Sequence, residues 1–521
     1  MIVHLSSNTK KHTKICEAKL RQARPITKHG AILTAKKAEE EQMERSKIIF
    51  GNKIADRDYR KACRQKEKFV KKYGDDSGRS YYFKAVENPV LAPLGVKNLV
   101  LTDEPGLQLP ANAVIVGNIR MGYGHYRIST AIASAAHALG YEPYWLDLNS
   151  FPESTATKII SGQNDLYSLG SRISQRSKLF NKFVWEPINY EGFRKLTYNA
   201  GDQKNAELMA NLLRNLPKDV PYVATHAWPA QAAIHAGFTH VVNAIPDNWP
   251  MALHLSEGSI HAVQTPSAFL GYKMLRGMDK KRQLKPMPKG SICDVGHFID
   301  HEFVENIETD CAARLARMEA GAPRRFLLSI GGAGAQQKLF EDIIRHLLPQ
   351  VKAGRATLLI NTGDHFEVWD SIAAHIPELR AMAETHFDNY EAARAFIEKD
   401  EGLRGVQVFC HKDIFAAVYV TNLLMRACDV LLTKPSELSF YPVPKLMIHR
   451  VGGHERWGAI RAAEVGDGTY ECEQTEEVLA MLDEIMNGDE ILPAFCRSIL
   501  RAKNAGIYNG AYEAVKLAVG K

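Results

Sequence analysis

Two glycine-rich segments of this chain could hold phosphate groups, and one of them also carries a histidine that could act as a general base. The first, residues 122–125, reads GYGH, and the second, residues 331–334, reads GGAG. Glycines at the start of a helix let backbone N–H groups approach an anion, which the helix dipole also favours. The same dipole favours the neutral imidazole of His125, which is the form that a base needs. Taken alone, either loop could serve only tight packing, and His125 could merely cap its helix.

Both segments lie where a strand is predicted to end and a helix to begin. Apolar runs at Ala113–Gly117 and Arg325–Ile330 precede them, and helices are predicted to follow at Ser129–Leu139 and over residues 339–351. Further strands are predicted at Tyr141–Leu148, Tyr222–Thr225, Val241–Ile245, His261–Gln264, Ala356–Asn361, Val406–Phe409, Asp429–Thr433 and Lys445–Arg450. This alternation predicts an α/β protein with parallel sheets that are covered by helices on both faces.

Polar residues that follow the predicted strands are further site candidates, because ligands bind beyond the carboxyl ends of strands in open α/β sheets. They are Arg127, His226, Asp247 and Asn248 in the first half of the chain, and Asp364, His365, Thr433, Lys434, Ser436, Glu437, His454 and Glu455 in the second. The chain has no Gly-Lys-Ser/Thr P-loop and no complete GxGxxG segment. It also lacks HExxH and closely spaced metal ligands, so no metal site is predicted.

The composition is that of an ordinary soluble protein with two or three domains. The chain has 521 residues, of which 45% are hydrophobic and 24% charged. No run approaches the roughly 20 apolar residues that span a bilayer, and the first residues lack the apolar core of a signal peptide. The eight cysteines are scattered without a CxxC pair, which favours free thiols in a reducing compartment. We therefore expect a cytoplasmic protein.

Positive charge is concentrated at the start of the chain. Residues 1–90 contain 22 Lys and Arg against 11 Asp and Glu, and because the whole chain carries +7 the other 431 residues carry −4. A basic segment of this kind can bind an anionic membrane surface. It can equally be a solvated helical extension. We do not expect nucleic acid to be the partner.

The patterns divide the chain into four parts. Residues 1–110 are predicted to form a basic, mainly helical or irregular N-terminal extension. Residues 111–295 and 296–490 are predicted to form two Rossmann-like domains, with the boundary in a stretch rich in proline and glycine. Residues 491–521 are predicted to form a C-terminal helix that crosses back to the first domain.

Five motifs between residues 113 and 470 keep the order found in one known family. They are MGYGH, TPSAFLGYKMLRGM followed by DVGHFIDHEF, SIGGAGAQ, MRACDVLLTKPSELSF, and VGGHERWGAIRAAEVGDGT. Together they resemble the motifs of GT-B glycosyltransferases, in the group of bacterial MurG and plant-type monogalactosyldiacylglycerol synthase. The resemblance implies two Rossmann-like domains that face each other across a cleft, with a UDP-sugar held mainly by the second and an acceptor held mainly by the first.

The resemblance also implies roles for individual residues. His125, with Asp247, would be catalytic in an inverting transfer that needs no metal and no cofactor, because loop amides and helix dipoles stabilise the leaving group. Donor contacts would come from Gly122, Gly124, Arg127, Gly331, Gly332, Gly334, Thr433, Lys434, Ser436, Glu437, His454 and Glu455. A lipid or membrane-linked acceptor is implied, and with it a peripheral location on the inner face of the membrane, which residues 1–90 could help to reach.

The chain departs from the family pattern after strand Asp429–Thr433. Ser436 and Glu437 stand where the family has two glycines, SFYPVPK replaces a longer element whose glutamate usually holds the ribose, and Gly458 stands where asparagine is common. Two alternatives therefore stay open. One is a nucleotide-sugar 2-epimerase, for which Asp247, Glu437 and Glu455 could supply acidic groups. The other is a non-catalytic protein of the same fold with a degenerate donor site.

Overall fold

Two large β-sheets with helices on both faces, together with a small two-stranded sheet, form the described part of this protein, for which a computed structural model describes residues 45–176, 183, 187, 191–330 and 336–521. The strands are β1 Ile48–Ile49, β2 Asn52–Lys53, β3 Tyr82–Glu87, β4 Lys97–Thr102, β5 Ala113–Asn118, β6 Glu142–Asp147, β7 Tyr222–Ala224, β8 Val241–Ala244, β9 Ile260–Val263, β10 Ile292–Asp294, β11 Arg324–Ser329, β12 Ala356–Asn361, β13 Ala383–Phe387, β14 Val406–Cys410, β15 Val430–Thr433 and β16 Lys445–Met447.

The α-helices of the described residues are numbered in the same way. They are α1 Asp56–Tyr73, α2 Gly124–Ala138, α3 Thr155–Arg176, α4 Leu196–Met209, α5 Ala227–His235, α6 Pro266–Lys273, α7 His301–Glu319, α8 Gln337–Lys352, α9 Phe366–His375, α10 Pro377–Met382, α11 Tyr390–Lys399, α12 Ile414–Ala427, α13 Arg456–Val465, α14 Thr475–Asn487, α15 Ile491–Asn504 and α16 Gly510–Val519. None of them combines the length and the apolar character that a bilayer-crossing helix needs.

The N-terminal sheet has eight strands in the order β10-β9-β8-β7-β5-β6-β4-β3. All neighbouring strands are parallel except β3 and β4, which pair antiparallel at one edge. All six residues of β5 are buried, as expected for a strand that is covered by helices on both faces. Because β6 lies on one side of β5 and β7 on the other, the carboxyl end of β5 is a topological switch point, where ligands bind in such folds.

The C-terminal sheet has six strands in the order β13-β14-β12-β11-β15-β16, and all of them are parallel. Its switch point lies between β11, which leads to residues 331–335, and β15, which leads to Thr433 and Lys434. The apolar side chains of these central strands are buried in one continuous core together with those of α8 and α12. Each sheet therefore has one switch point, at the edge where the carboxyl ends of its parallel strands lie.

The predicted α/β fold class is confirmed, with two Rossmann-like domains that each contain a largely or wholly parallel sheet. Each predicted strand overlaps an observed one, but β1, β2, β3, β4, β10 and β13 were not predicted. Strand β3 exposes most of its residues at the edge of the sheet, so it lacks the apolar run that identifies a buried strand.

Residues 45–102 belong to the N-terminal domain, which corrects the prediction of a separate extension over residues 1–110. Strands β3 and β4 extend its sheet, and helix α1 packs against α4. The side chain of Lys66 in α1 forms an ion pair with Glu207 of α4 at 2.7 Å. Residues 1–44, which hold nine of the 23 Lys and Arg residues of the predicted extension, lie outside the described residues.

The chain crosses between the domains twice, and the two crossings lie side by side. The backbone N–H of His297 donates to the carbonyl of Ile507 at 2.6 Å, and that of Gly510 donates to the carbonyl of His297 at 2.9 Å. A side chain at Gly510 would collide with the backbone of the first crossing, so a glycine is required there. Helix α15 packs on α7 of the C-terminal domain, whereas α16 packs on α2 of the N-terminal domain. The helix that crosses back is thus α16.

Candidate functional site

The loops that leave the two switch points meet across a cleft between the domains. Gly122 has a φ of +72°, which favours glycine. Gly124 begins α2, and a Cβ atom at this position would lie 3.2 Å from Oε2 of Glu437, which follows β15 in the other domain. The predicted first loop and the segment after β15 therefore form opposite walls of one cleft.

His125 lies in the first turn of α2 and is held in one orientation by β7. Its Nδ1 lies 2.7 Å from the carbonyl oxygen of Thr225. Because a carbonyl only accepts hydrogen bonds, Nδ1 carries the proton and Nε2 keeps the lone pair. Burial lowers the pKa of His125, and the charge of His254 lowers it further, whereas the hydrogen bond from Nδ1 to Thr225 and the charges of Asp247 and Glu437 raise it. His125 is consequently neutral at pH 7 with Nε2 as its basic atom.

A second histidine, His226, lies against His125 at the same switch point. The two rings are 4.9 Å apart and nearly perpendicular. Nδ1 of His226 accepts a hydrogen bond from the backbone N–H of Trp228 at 3.1 Å and so caps helix α5. Burial, together with the charge of His125, lowers the pKa of His226 well below its ordinary value. This pair stays uncharged, which keeps a proton acceptor available at the switch point.

Asp247 follows β8 and is paired with His254. Its Oδ2 lies 2.9 Å from Nε2 of His254, and about a third of its side chain is exposed. Burial alone would raise the pKa of Asp247, but the hydrogen bond to His254 and the positive charges that His254, His454 and His125 carry when protonated hold it below its ordinary value. Asp247 is therefore an ionised carboxylate. Its electrostatic interaction with His454, from the C-terminal domain, spans the cleft.

Arg127 and Glu437 join the two domains at the back of the cleft. The side chain of Arg127 is 2% exposed, and its Nε lies 3.3 Å from Oε1 of Glu437. Nη1 of Arg127 also donates to the carbonyl of Val418 at 3.2 Å and to Oδ1 of Asn422 at 2.5 Å. The guanidinium thus has three partners from the C-terminal domain. The predicted contact between Arg127 and a nucleotide-sugar donor stays a prediction.

The network that begins at Arg127 continues to a buried carboxylate. Nδ2 of Asn422 donates to Oδ1 of Asp300 at 3.1 Å, and the hydroxyl of Tyr441 donates to Oδ2 at 2.8 Å. Burial, assisted by the charge of Glu302, raises the pKa of Asp300 to about 7 against the opposing effects of Tyr441 and Arg127. Asp300 lies at the first crossing between the domains, so the network links the cleft to the crossing.

Tyr123 makes a second contact across the cleft. Its hydroxyl donates to the carboxylate of Asp364 and accepts from the backbone N–H of Asp364 at 2.9 Å. Nη2 of Arg120 also donates to Asp364, at 2.6 Å. The ring covers Gly363, where a side chain would overlap the tyrosine hydroxyl. Tyr123 was not predicted as a site residue, although it lies within the motif that was singled out.

Lys434 and Glu455 form an ion pair on the C-terminal wall of the cleft. Oε2 of Glu455 also accepts from the backbone N–H groups of Val451 at 2.7 Å and Gly452 at 3.0 Å. Burial would raise the pKa of Glu455, but Lys434 and His454 keep it below its ordinary value. Nδ1 of His454 is buried and makes no hydrogen bond in the described part of the chain. These residues, predicted as donor contacts, do lie together.

The remaining predicted donor residues have local backbone roles or cannot be placed. Oγ1 of the buried Thr433 donates to the carbonyl of Lys434 at 3.1 Å. Oγ of Ser436 caps the short helix that starts at Glu437 by accepting from the backbone N–H of Leu438 at 3.4 Å. Gly331, Gly332 and Gly334 lie outside the described residues, so their contact with a donor stays a prediction.

An aromatic stack closes one end of the cleft. The indole rings of Trp249 and Trp457, from opposite domains, lie 5.3 Å apart and 20° from parallel. The guanidinium of Arg194 lies 4.3 Å above the other face of Trp249. Neither tryptophan was predicted as a site residue, although Trp249 lies two residues after Asp247.

Tyr167 of helix α3 lies near groups of both walls, although 38% of the residue is exposed. Desolvation raises its pKa, as do the charges of Glu455 and Asp247, while the charge of Lys434 lowers it. Tyr167 thus interacts with groups on both walls. Its helix was not predicted to contribute to the site, because no strand precedes it. Within the described ranges, no three His, Cys, Asp or Glu side chains are placed to hold a metal ion.

Two family models match the chain, and each covers one domain. Residues 48–274 match a domain of unknown function, DUF6937, and residues 287–519 match a domain of unknown function, DUF6938. No curated protein matches the chain.

Solved structures similar to this chain include three carbohydrate-related enzymes. They are a UDP-GlcNAc 2-epimerase from Neisseria meningitidis bound to UDP-GlcNAc (10% identity, TM-score 0.43, 78% of this chain and 100% of that one), an α,α-trehalose 6-phosphate synthase from Burkholderia multivorans (11%, 0.40, 78% and 97%) and WaaG, a glycosyltransferase involved in lipopolysaccharide biosynthesis (12%, 0.38, 78% and 100%). At these identities the similarity concerns the fold.

Proposed function

We propose that this protein is an inverting glycosyltransferase that moves a sugar from a nucleotide sugar, in the first instance a UDP-sugar, to a hydroxyl acceptor. The observation that carries the proposal is the meeting of two switch points across one cleft, with neutral His125 on one wall and the Lys434–Glu455 pair on the other. Ligands bind at such switch points, so a donor with a nucleotide and a sugar end can reach both domains. The five GT-B-like motifs support the choice of donor.

In the proposed reaction, Nε2 of His125 takes the proton from the acceptor hydroxyl while the hydroxyl oxygen bonds to the anomeric carbon. The bond from that carbon to the diphosphate oxygen breaks, and the diphosphate leaves with the bonding electron pair. Attack from the face opposite the leaving group inverts the anomeric configuration. The imidazolium that forms at His125 is stabilised by the charges of Asp247 and Glu437, both of which raise its pKa.

We assign the leaving diphosphate to the C-terminal wall. Its charge would be met by the N–H groups of residues 331–334 and by Lys434, as the GT-B resemblance implies, without a cofactor. Burial would lower the pKa of Lys434, but the charge of Glu455 outweighs it and raises the pKa above its ordinary value. Lys434 is thus a fixed positive charge on this wall.

Ion pairing favours transfer over epimerisation. Each of the three carboxylates that could serve an epimerase is engaged by another side chain: Asp247 by His254, Glu437 by Arg127 and Glu455 by Lys434. A neighbouring cation such as Arg127 or Lys434 favours the ionised form of a carboxylate, which is a poor proton donor, and a 2-epimerase needs groups that both remove and return protons. His125 alone is enough to deprotonate a hydroxyl.

The acceptor that we propose is a lipid or a membrane-linked molecule. Leu166, Leu169 and Ile173 follow helical spacing on α3 and are 64%, 49% and 40% exposed, and Phe183 beyond the helix is 68% exposed. A row of exposed apolar side chains is typical of surfaces that contact a membrane or a partner. Because Tyr167 of the same helix reaches the cleft, a membrane at this face would bring lipid headgroups to His125.

A thermal-shift panel of UDP, GDP, TDP and CDP, with their common sugar conjugates, tests the donor. A ligand that binds the native state raises the melting temperature by mass action, and we expect the UDP series to do so. Release of UDP from the bound sugar donor, with water or added lipid as acceptor, then tests transfer. His125→Ala should bind the donor as wild type does and release no UDP, whereas His346→Ala, a surface control, should change neither.

Three results would contradict the proposal in different ways. If no nucleotide or nucleotide sugar raised the melting temperature, the protein would be a fold relative without a donor site. If a labelled donor changed its sugar without an acceptor, the epimerase would replace the transferase. If His125→Ala kept full turnover, another group would have to be the base.

A further inference from the structure

A second cavity lies at the domain interface, on the opposite side of α2 from His125. It has a volume of about 210 Å³ and is lined by side chains of β4, the carboxyl end of β6, the first turn of α2 and the first turn of α12. Successive residues of a helix point about 100° apart. His125 accordingly faces β7 through Thr225, while Tyr126 faces β6 through Asp147.

Three aromatic side chains line one part of this cavity. The ring centroids of Tyr126 and Trp145 are 5.1 Å apart, those of Tyr126 and Phe415 are 5.4 Å apart, and those of Trp145 and Phe415 are 5.0 Å apart. Phe415 comes from the C-terminal domain, whereas the other two come from the N-terminal domain. The cavity is therefore complete only when the two domains are together.

A buried carboxylate faces the same cavity. Asp147 is 5% exposed and accepts hydrogen bonds from the hydroxyl of Tyr126 at 2.6 Å, the backbone N–H of Asn149 at 2.8 Å and the hydroxyl of Ser150 at 3.1 Å. All three donors are neutral. Burial raises the pKa of Asp147, while these bonds and the charge of Arg120 lower it. No ion pair with Asp147 is formed by any described residue.

The electrostatic character of the cavity is negative. Asp147 and the exposed Glu153 are among the described residues that line it, and no lysine, arginine or histidine is among them. Two nearby guanidinium groups are directed elsewhere: that of Arg120 to Asp364, and that of Arg79 to the backbone carbonyl of Glu153. The aromatic faces add to this field, because the π-system of a ring is negative on its faces.

We propose that this cavity binds a small organic cation, an ammonium group that carries a few carbon atoms. Aromatic side chains attract such a cation through their faces, and the buried carboxyl group of Asp147, which forms no ion pair with a described residue, supplies an acceptor for the ammonium group. Nε1 of the buried Trp145 makes no hydrogen bond in the described part of the chain. It would be satisfied by a ligand with a hydroxyl group beside its ammonium, as in an amino alcohol.

Binding here would hold the domains in this arrangement, because Phe415 reaches the cavity from the far side of the interface. The proposal does not depend on glycosyl transfer, since none of the residues that line the cavity belongs to the donor or catalytic assignments.

Isothermal titration of the full chain with choline, ethanolamine and tetramethylammonium tests the proposal, with 3,3-dimethylbutan-1-ol as the uncharged isostere of choline and sodium chloride as an ionic-strength control. We expect at least one ammonium probe to bind, and the isostere to bind at least tenfold more weakly than choline. Equal binding of choline and the isostere would show a merely apolar cavity and would overturn the proposal. Absence of heat with all three ammonium probes would overturn it as well.

Two variants locate the binding. Asp147→Asn keeps the size of the side chain and removes its charge, and Phe415→Leu keeps an apolar contact and removes the ring; each should weaken the bound ammonium probe at least tenfold. Asp483→Asn and Phe366→Leu, which lie far from the cavity in sequence and outside its lining, are the matched controls. Unchanged affinity in both test variants, or equal loss in the controls, would overturn the proposal. Phe415→Leu decides the matter if Asp147→Asn does not fold.

Discussion

The ion pair between Arg127 and Glu437 offers the sharpest test of how the two domains are joined. Arg127 is 2% exposed and Glu437 17%, with Nε and Oε1 at 3.3 Å. Opposite charges about 4 Å apart attract by about 4 kcal/mol at an effective dielectric constant of about 20. Solvent reaches Glu437 and reduces this attraction, so the value for a charged hydrogen bond, about 1.5–3 kcal/mol, is the coupling energy that we expect.

The single substitutions should differ in cost. Arg127→Met also removes the donor to the carbonyl of Val418 and to Oδ1 of Asn422, and it leaves Glu437 without its cation. Breaking a buried pair in this way costs about 3–5 kcal/mol. Glu437→Gln leaves the guanidinium with its two other partners, so its cost should be about 1–3 kcal/mol.

Urea unfolding, followed by tryptophan fluorescence, measures these energies. The stacked indoles of Trp249 and Trp457 lie at the same interface, so their separation reports its opening. A protein of two domains need not unfold in one step, and the double-mutant cycle is therefore evaluated on the transition in which the indoles separate. Arg317→Met is the control, because Arg317 pairs with Asp429 inside the C-terminal domain at 2.7 Å.

A coupling energy below about 0.5 kcal/mol, the scatter expected for independent sites, would refute the reasoning. So would an interface transition that Arg127→Met leaves unchanged while Arg317→Met shifts it. Either result would mean that the contact seen between α2 and the segment after β15 does not hold the domains together.

Three further predictions concern the same cleft. Burial lowers the pKa of His125 below its usual 6.5, so the rate of UDP release should be independent of pH above about 7 and should fall as acid protonates Nε2. A rate that still rises above about pH 7 would contradict a neutral base. The pKa of Asp247 is depressed in the folded protein, so its ionised carboxylate stabilises the fold above about pH 5, and this contribution vanishes as the pH falls through the folded pKa. Asp247→Asn should therefore melt at a lower temperature than wild type above about pH 5, and the two should converge in acid. A difference in melting temperature that persists in acid would contradict this linkage. Tyr123→Phe removes the hydroxyl that bonds to Asp364 and should weaken the domain interface by about 1–3 kcal/mol. The backbone N–H of Asp364 should then exchange its hydrogen faster. Unchanged protection of this N–H would mean that the contact does not help to hold the domains together.

The fold could be predicted from the sequence where the signal is local. Strands such as Ala113–Asn118 and Ala356–Asn361 are buried on every residue, so they are continuous apolar runs bounded by turns. Strand Tyr82–Glu87 is an edge strand with one buried residue, and Ala383–Phe387 has none. Their place in the sheets depends on pairing with distant strands, for which the local sequence gives no signal.

The site shows the same limit. His125 and Asp247 could be predicted because each follows a recognisable strand. Asp364 was also identified from its position, but its partner Tyr123 lies 241 positions away in the chain, and no periodicity links the two. Tyr167 reaches the cleft from a helix, so a rule based on strand ends could not find it.

The structure shows a role for the segment after β15 that differs from the one its sequence suggested. In the sequence, Ser436 and Glu437 stand where the GT-B family that the motifs resemble has two glycines, which left a degenerate donor site as one alternative. In the structure Glu437 fills the space beside Gly124 and pairs with Arg127 of the other domain. A glycine at position 437 would remove the carboxylate that forms an ion pair with the buried guanidinium of Arg127, at a cost of about 1–3 kcal/mol. The departure from the family pattern at position 437 therefore has a structural role, because Glu437 joins the two domains through Arg127.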